Sequence, residues 1–358
     1  MDCPHHEKRL ASSILGYCGE CASYRPDLLS VAAAIHAHLR ERSGLIPRIP
    51  NEGKDVCADC GNHCRLDEGM IGFCHNRIGT KAGVKSRYGK AVPVTWYFDV
   101  LPTNCVADWV CSISCSPNRT HDGKRLKNLA VFYGSCNSDC LFCQNASYKD
   151  LMKAGRPLMR PENLASVADD ATACVCYFGG DPSCNSEHSV RTSKILYDKW
   201  NMRVCYETNG NISAKWLQKI ADIVQQSRGT LKFDLKALTP SLYQTLTGVR
   251  NNLAVSNFKK LARIGENREN EFLVASILLV PGYIGAKELE LLCSFIALCD
   301  QTIPTAFLGF YPHHSMIDLP RTSRGHALKA MEIAKESGLT NVRIGNQWLL
   351  SGSEYNFE

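Results

Sequence analysis

The chain has 358 residues, 44% hydrophobic and 21% charged, enough apolar sequence to bury a large core and to build one large domain with a smaller one beside it. Its formal charge of +6 is modest, and the basic residues are dispersed, which argues against a nucleic-acid partner. The start Met1-Asp2-Cys3-Pro4-His5-His6 has no apolar signal core, and the longest apolar stretch, Phe272 to Ile284, is broken by Pro281 and Gly282, so neither export nor a membrane span is expected.

Nineteen cysteines in such a chain point to thiolates kept reduced for metals, in a reducing and anaerobic cytoplasm. Ten of them precede residue 116, in a leader that reads as loop-rich apart from one helix at about Leu28 to Arg42. Cys18-x2-Cys21, with Cys3, His5 and His6 nearby, forms one candidate metal group whose partition is open. Cys57-x2-Cys60-x3-Cys64-x9-Cys74 offers four thiolates in eighteen residues, with Gly69 and Gly72 permitting tight turns, as a closed mononuclear iron or zinc site requires. A further triplet, Cys105-x5-Cys111-x3-Cys115, adjoins Trp96, Tyr97 and Trp109; it either closes a second cluster or lines a cofactor surface.

From Leu129 the pattern turns regular. The runs Leu129–Tyr133, Cys174–Phe178, Arg203–Glu207, Leu231–Leu235, Phe272–Val280 and Phe307–Tyr311 read as buried parallel strands. Amphipathic stretches such as Glu187–Trp200, Ser213–Gln225, Ala286–Leu298 and Ser323–Gly338 follow most of them. The α/β class expected is a partial (β/α)6 TIM-like barrel with a cysteine-rich N-terminal metal-binding extension. The divisions are a leader at 1–128, a barrel at 129–348 and a tail at 349–358. A complete eight-unit barrel would need about 250 residues, more than remain after the leader.

Barrel chemistry gathers where strands end, so the residues following each run carry the reading. After the first run come Cys136, Cys140 and Cys143, whose C-x3-C-x2-C spacing suits three thiolates on one iron-sulfur cube with the fourth iron left open. Chance would match a given pair of offsets about one time in twenty at this cysteine content. Position after a buried strand, with Phe142 before the third cysteine, favours the cluster over a zinc knuckle. The next mouths carry Gly179-Gly180-Asp181-Pro182, Glu207-Thr208-Asn209-Gly210, Asp234-Leu235-Lys236, Val280-Pro281-Gly282 and, after the sixth, His313-His314. Ile344-Gly345-Asn346 follows near the end of the barrel.

In this order the motifs resemble the radical S-adenosylmethionine (SAM) superfamily, and more closely its branch of glycyl-radical activating enzymes and AmmeMemoRadiSam-like proteins. The resemblance covers about residues 55 to 348. It implies that Cys136, Cys140 and Cys143 hold a 4Fe-4S cluster, that SAM binds the open iron, and that an electron from a donor such as ferredoxin or flavodoxin cleaves it to a 5′-deoxyadenosyl radical. It also implies that Phe142, Gly179, Gly180, Asp181, Glu207, Thr208, Asn209, Asp234, Lys236 and His313 surround the cofactor. In that picture the two glycines let backbone approach the methionine amino group.

The implied activity is hydrogen abstraction from a residue of a protein or peptide substrate. Two features bear on the alternatives. Activating enzymes commonly carry a basic residue where Ser276 stands, and many insert an eight-cysteine ferredoxin-like domain where residues 144–173 contain none. Both weaken a glycyl-radical activase reading. A cobalamin-dependent methyltransferase stays open although the D-x-H-x-x-G fingerprint is absent, because the aromatic, cysteine-rich segment Val94–Cys115 offers a corrinoid surface. A bare electron carrier would not need the glycine and carboxylate motifs.

Overall fold

The computed structural model describes residues 1–101, 105–116, 119–265 and 272–357. Its centre is one sheet whose strands we number β1 (Val92–Val100), β2 (Lys127–Tyr133), β3 (Thr172–Gly179), β4 (Arg203–Thr208), β5 (Leu231–Asp234), β6 (Leu273–Leu279), β7 (Thr305–Gly309) and β8 (Val342–Gly345). From β2 to β8 each strand pairs in parallel with the next in sequence, so the sheet winds one way and stays open at both ends. The six expected βα units are present in order. β8 adds a seventh parallel strand, and β1 pairs antiparallel with β2 from Val94 opposite Tyr133 to Val100 opposite Lys127. The two-residue strand Leu158–Met159 closes against Val92 and Pro93 at that edge.

Side chains alternate across each strand, and the alternation sorts two kinds of residue. Leu129, Val131, Tyr133, Val175, Tyr177, Val204, Tyr206, Leu231, Phe233, Ile277 and Phe307 are buried in the hydrophobic core. Tyr133, Tyr177 and Tyr206 run across three adjacent strands, with ring centroids 5.9 Å and 4.6 Å apart. Asn128, Cys174, Cys176, Arg203, Cys205, Glu207, Lys232, Asp234, Ser276 and Arg343 take the intervening positions and line an inner cavity.

In the leader the helix Leu28–Arg42 forms as expected, preceded by a short helix Gly19–Tyr24. Tyr283 stitches the leader to the exit of β6: its hydroxyl receives a hydrogen bond from the Ser12 amide at 3.0 Å and donates to the Tyr17 carbonyl at 2.9 Å. No helix among the described residues is long and apolar enough to cross a membrane.

Candidate active site

The cysteine loop leaves β2 through Gly134 and Ser135 and is held by its own aspartate. Asp139 is 1% exposed and meets two cations, Lys149 at 2.7 Å and Arg40 at 3.4 Å, and the His36 ring at 2.8 Å. Although burial opposes its charge, these partners hold its carboxyl well below the usual carboxylate range. Arg40, fully buried, also donates to the Ile46 and Phe73 carbonyls and lies 3.6 Å over the Phe73 ring. The Asp139 and Leu141 amides donate to Thr247 and Leu246. The loop is thus clamped by the leader helix (His36, Arg40), helix Tyr148–Ala154 (Lys149) and helix Pro240–Thr247. Sequence reading missed His36, Arg40, Asp139 and Lys149. Their one local signal is an aspartate inside the cysteine triplet and a His–Arg pair spaced i, i+4 on the predicted helix.

Cys136, Cys140 and Cys143 face the cavity, and burial raises all three thiols, Cys140 up to about 12. Metal uptake there must therefore release protons. No three of the loop's Sγ atoms share the 4.8 Å reach of a single ion. A cube, whose ligated irons are separate atoms, is the group that tolerates wider spacing.

The next two mouths are fastened to this loop. Gly180 adopts φ +65°, and a Cβ there would lie 2.3 Å from the Tyr133 carbonyl oxygen and 2.5 Å from that of Ser135, so a side chain has no room. Gly179 is pressed by the Phe132 ring and does not line the cavity. The space both glycines leave is occupied by the protein's own chain. Asp181 accepts from the Ser183 and Asn209 amides at 2.9 and 2.8 Å and from the Thr208 hydroxyl at 3.2 Å. Asn209 donates to Asn137 at 2.7 Å and Ser138 at 3.1 Å, inside the cysteine loop. Asp181, Thr208 and Asn209 line the cavity while spending these polar atoms on locking three mouths together.

Past the mouth the cavity, about 570 Å³, continues down the barrel interior. Lys236 donates to Asp234 at 2.8 Å, and Ser276 donates to the other oxygen of the same carboxylate. Lys236 also sits 5.7 Å from the Phe142 ring centroid, and Cys140 and Cys143 help Asp234 raise its pKa against burial. Deeper, Lys232 reaches Glu207 and Cys176 at 2.8 Å and Cys105 at 3.4 Å. Burial alone would push this lysine down, but Cys105, Cys176, Glu207 and Cys205 outweigh it and raise it well above the ordinary lysine value. Glu207 therefore faces a lysine inside the barrel. Cys105 and Cys111 join Cys174, Cys176 and Cys205 in this lining, with Arg203 donating to Cys111 at 3.7 Å.

Two further groups of expected site residues lie outside the cavity lining. His313 is exposed and outside the cavity lining; the chain turns through a left-handed residue at His314, φ 54°, whose ring takes a 3.0 Å contact with Lys149. Cys57, Cys60, Cys64 and Cys74 are all buried, and no three of their Sγ atoms lie within 4.8 Å of one another. The Cys57 amide donates to the Cys64 carbonyl across a hairpin, whereas Cys74 turns to hydrogen-bond Cys184. Cys184, from the barrel, interacts electrostatically with both Cys60 and Cys136 and links the leader thiols to the cysteine loop. Among the described residues, three or more ligand atoms come within 4.8 Å of one another at Cys3, His6, Cys18 and Cys21 and at the exposed His121, Asp122 and Asp170.

Residues 130–293 match the family described as the Radical SAM superfamily. An uncharacterised protein of Methanocaldococcus jannaschii, MJ0808, is 24% identical over 306 residues, covering 83% of this chain and 82% of that one. Among solved structures, a domain of pyruvate-formate lyase-activating enzyme from Bacteroides vulgatus is 19% identical with a TM-score of 0.39, over 49% of this chain and 99% of that one. Streptococcus suis SuiB bound to its precursor peptide SuiA is 15% identical with a TM-score of 0.46, over 58% of this chain and 46% of SuiB.

Proposed function

Because residues 130–293 match the radical SAM superfamily, we propose that the chain abstracts a hydrogen atom from a residue of a protein or peptide substrate. The observation that carries the reading is the single cavity of about 570 Å³ joining the three cysteines to the barrel interior. That volume lies within the range of roughly 300–1,000 Å³ usual for small-molecule sites. It suits SAM together with one inserted side chain, whereas a corrinoid, several times larger than SAM, would need far more.

Cys136, Cys140 and Cys143 would hold the 4Fe-4S cluster, on whose open iron SAM would bind. When bound, the pair supplies reductive cleavage of a carbon–sulfur bond and a 5′-deoxyadenosyl radical. The chain's own contribution is placement. Asp139 and its basic partners fix the loop, and the Asp181–Thr208–Asn209 lock fixes the second and third mouths against it. Lys236, oriented by Asp234 and Ser276, offers a fixed positive charge to a carboxylate beside the cysteines. Lys232, Glu207 and the lumenal thiols form the polar floor that an entering side chain would meet.

The test is to incubate anaerobically reconstituted protein with SAM, dithionite and added cobalamin, then desalt and measure both nucleoside products and bound corrinoid. Hydrogen abstraction predicts 5′-deoxyadenosine without S-adenosylhomocysteine, and no retained corrinoid. Stoichiometric corrinoid, or S-adenosylhomocysteine as a product, would replace this reading with methyl transfer.

A further inference from the structure

We propose that Cys3, His6, Cys18 and Cys21 form a closed tetrahedral zinc site, separate from the barrel cavity, that fastens the leader to the loop leaving β6. Cys3 Sγ lies 3.8 Å from Cys21 Sγ, and His6 Nδ1 lies 3.3 Å from both Cys18 Sγ and Cys21 Sγ and 4.0 Å from Cys3 Sγ. Zinc–sulfur bonds of about 2.3 Å and a zinc–nitrogen bond of about 2.0 Å at tetrahedral angles require sulfurs about 3.8 Å apart and sulfur–nitrogen distances of about 3.6 Å. The four distances stand close to those values, and all four ligand atoms lie within 4.8 Å of one another. The leader thiols from Cys57 to Cys74 do not.

Several features favour zinc over an iron-sulfur cluster. All four atoms share the reach of one ion, a histidine completes the set, and the three thiols are buried at 5%, 1% and 1% exposure. None of the four lines the cavity. With Nδ1 turned inward, the other ring nitrogen of His6 faces the Glu20 carboxylate at 3.8 Å, the carboxylate–histidine–metal arrangement that sets ring orientation. Glu20 is itself held by Arg9 and Lys287, whose charges offset the net negative charge of three thiolates around a divalent ion. His5 turns away to Arg25 and takes no part.

The position gives the ion a task. The Cys3 amide donates to the Arg9 carbonyl, so the first two ligands sit in one small loop, while Cys18 and Cys21 open helix Gly19–Tyr24. Between them the Gly19 amide donates to the Gly282 carbonyl at 2.7 Å. A Cβ on Gly19 would lie 2.5 Å from the Tyr283 carbonyl oxygen, and one on Gly282 would lie 2.2 Å from that of Leu10. The clipped loop is thus pressed onto the turn at the exit of β6. The helix carrying His36 and Arg40 to the cysteine loop starts four residues after Tyr24.

Full-length protein purified aerobically and without added iron is predicted to carry about one zinc per chain by elemental analysis, kept by a Cys136→Ala/Cys140→Ala/Cys143→Ala variant. A Cys18→Ser/Cys21→Ser variant should lose that zinc, and a Cys57→Ser/Cys60→Ser variant should keep it. A second measurement does not depend on any variant folding. In wild-type protein, iodoacetamide labelling read by mass spectrometry should spare Cys3, Cys18 and Cys21 until a zinc chelator is added, after which all three react together. Absence of zinc, its loss from the Cys57/Cys60 variant alone, or chelator-independent labelling of the three thiols would overturn the assignment. None of these outcomes depends on SAM cleavage.

Discussion

Replacing Asp139 by Asn is expected to destabilise the fold by about 3–5 kcal/mol, the usual consequence of removing one partner from a buried ion cluster. The substitution keeps the side chain's shape but leaves Arg40 and Lys149, 0% and 8% exposed, without their shared counter-ion. Since Asp139 lies between Cys136 and Cys140, the loss acts on the cysteine loop first. Iron bound after anaerobic reconstitution should fall together with stability in urea, measured on the metal-free protein. The same change at the exposed Asp198 should stay within about 0.5 kcal/mol. Full iron retention and unaltered stability in the Asp139→Asn protein would show that the clamp does not hold the loop.

Lowering the pH from 7.5 to 5.5 should remove about 3 kcal/mol of stability through two buried histidines, His188 and His326. His188 and His326 are 5% and 0% exposed, and burial depresses each to about 4. Both are bonded as neutral rings: His188 lies between the Tyr133 hydroxyl and the Met159 carbonyl, and His326 between the Tyr355 hydroxyl and the Ile284 carbonyl. The sign follows from which state takes the proton. Below the ordinary histidine value near 6.5 the unfolded chain binds protons that the folded chain refuses, so stability falls as pH drops toward 4. Asp139 works in a lower window: its carboxyl is depressed in the fold, so its contribution is complete above the ordinary carboxylate value near 4 and is lost as the pH falls from there toward the folded value. Urea midpoints across pH 5.5 to 7.5 measure the effect. A His188→Gln/His326→Gln protein should lose that share of the slope and keep the share of His75 and His314, which burial also depresses to about 4; a flat wild-type profile would contradict the assignment.

The barrel was legible because its strands and helices carry distinct periodicities, and because polar motifs recur where strands end. What a run of apolar residues hides is its inner face. Cys174, Cys176, Cys205 and Lys232 interrupt their runs at every second residue, and this alternation, read at period two, would have marked the lumen. β1 escaped notice because Pro93 weakens the strand signal of 92–100, yet Pro93 sits at the end of the strand, opposite Leu158, where a missing donor is tolerated. Asp181 and Asn209 show a different limit. Sequence places them at the mouth, but only the folded arrangement shows their polar atoms committed to neighbouring loops. The same holds for the leader thiols. Spacing gives their number, whereas convergence depends on contacts across the chain, such as the one drawing Cys74 to Cys184.

The most direct test of the central claim measures 5′-deoxyadenosine formed from SAM under dithionite by wild-type protein and by Cys136→Ala, Cys140→Ala and Cys143→Ala variants, each reconstituted without oxygen. The account predicts product from the wild type and none from any variant. Continued formation of 5′-deoxyadenosine by the Cys140→Ala protein would contradict it.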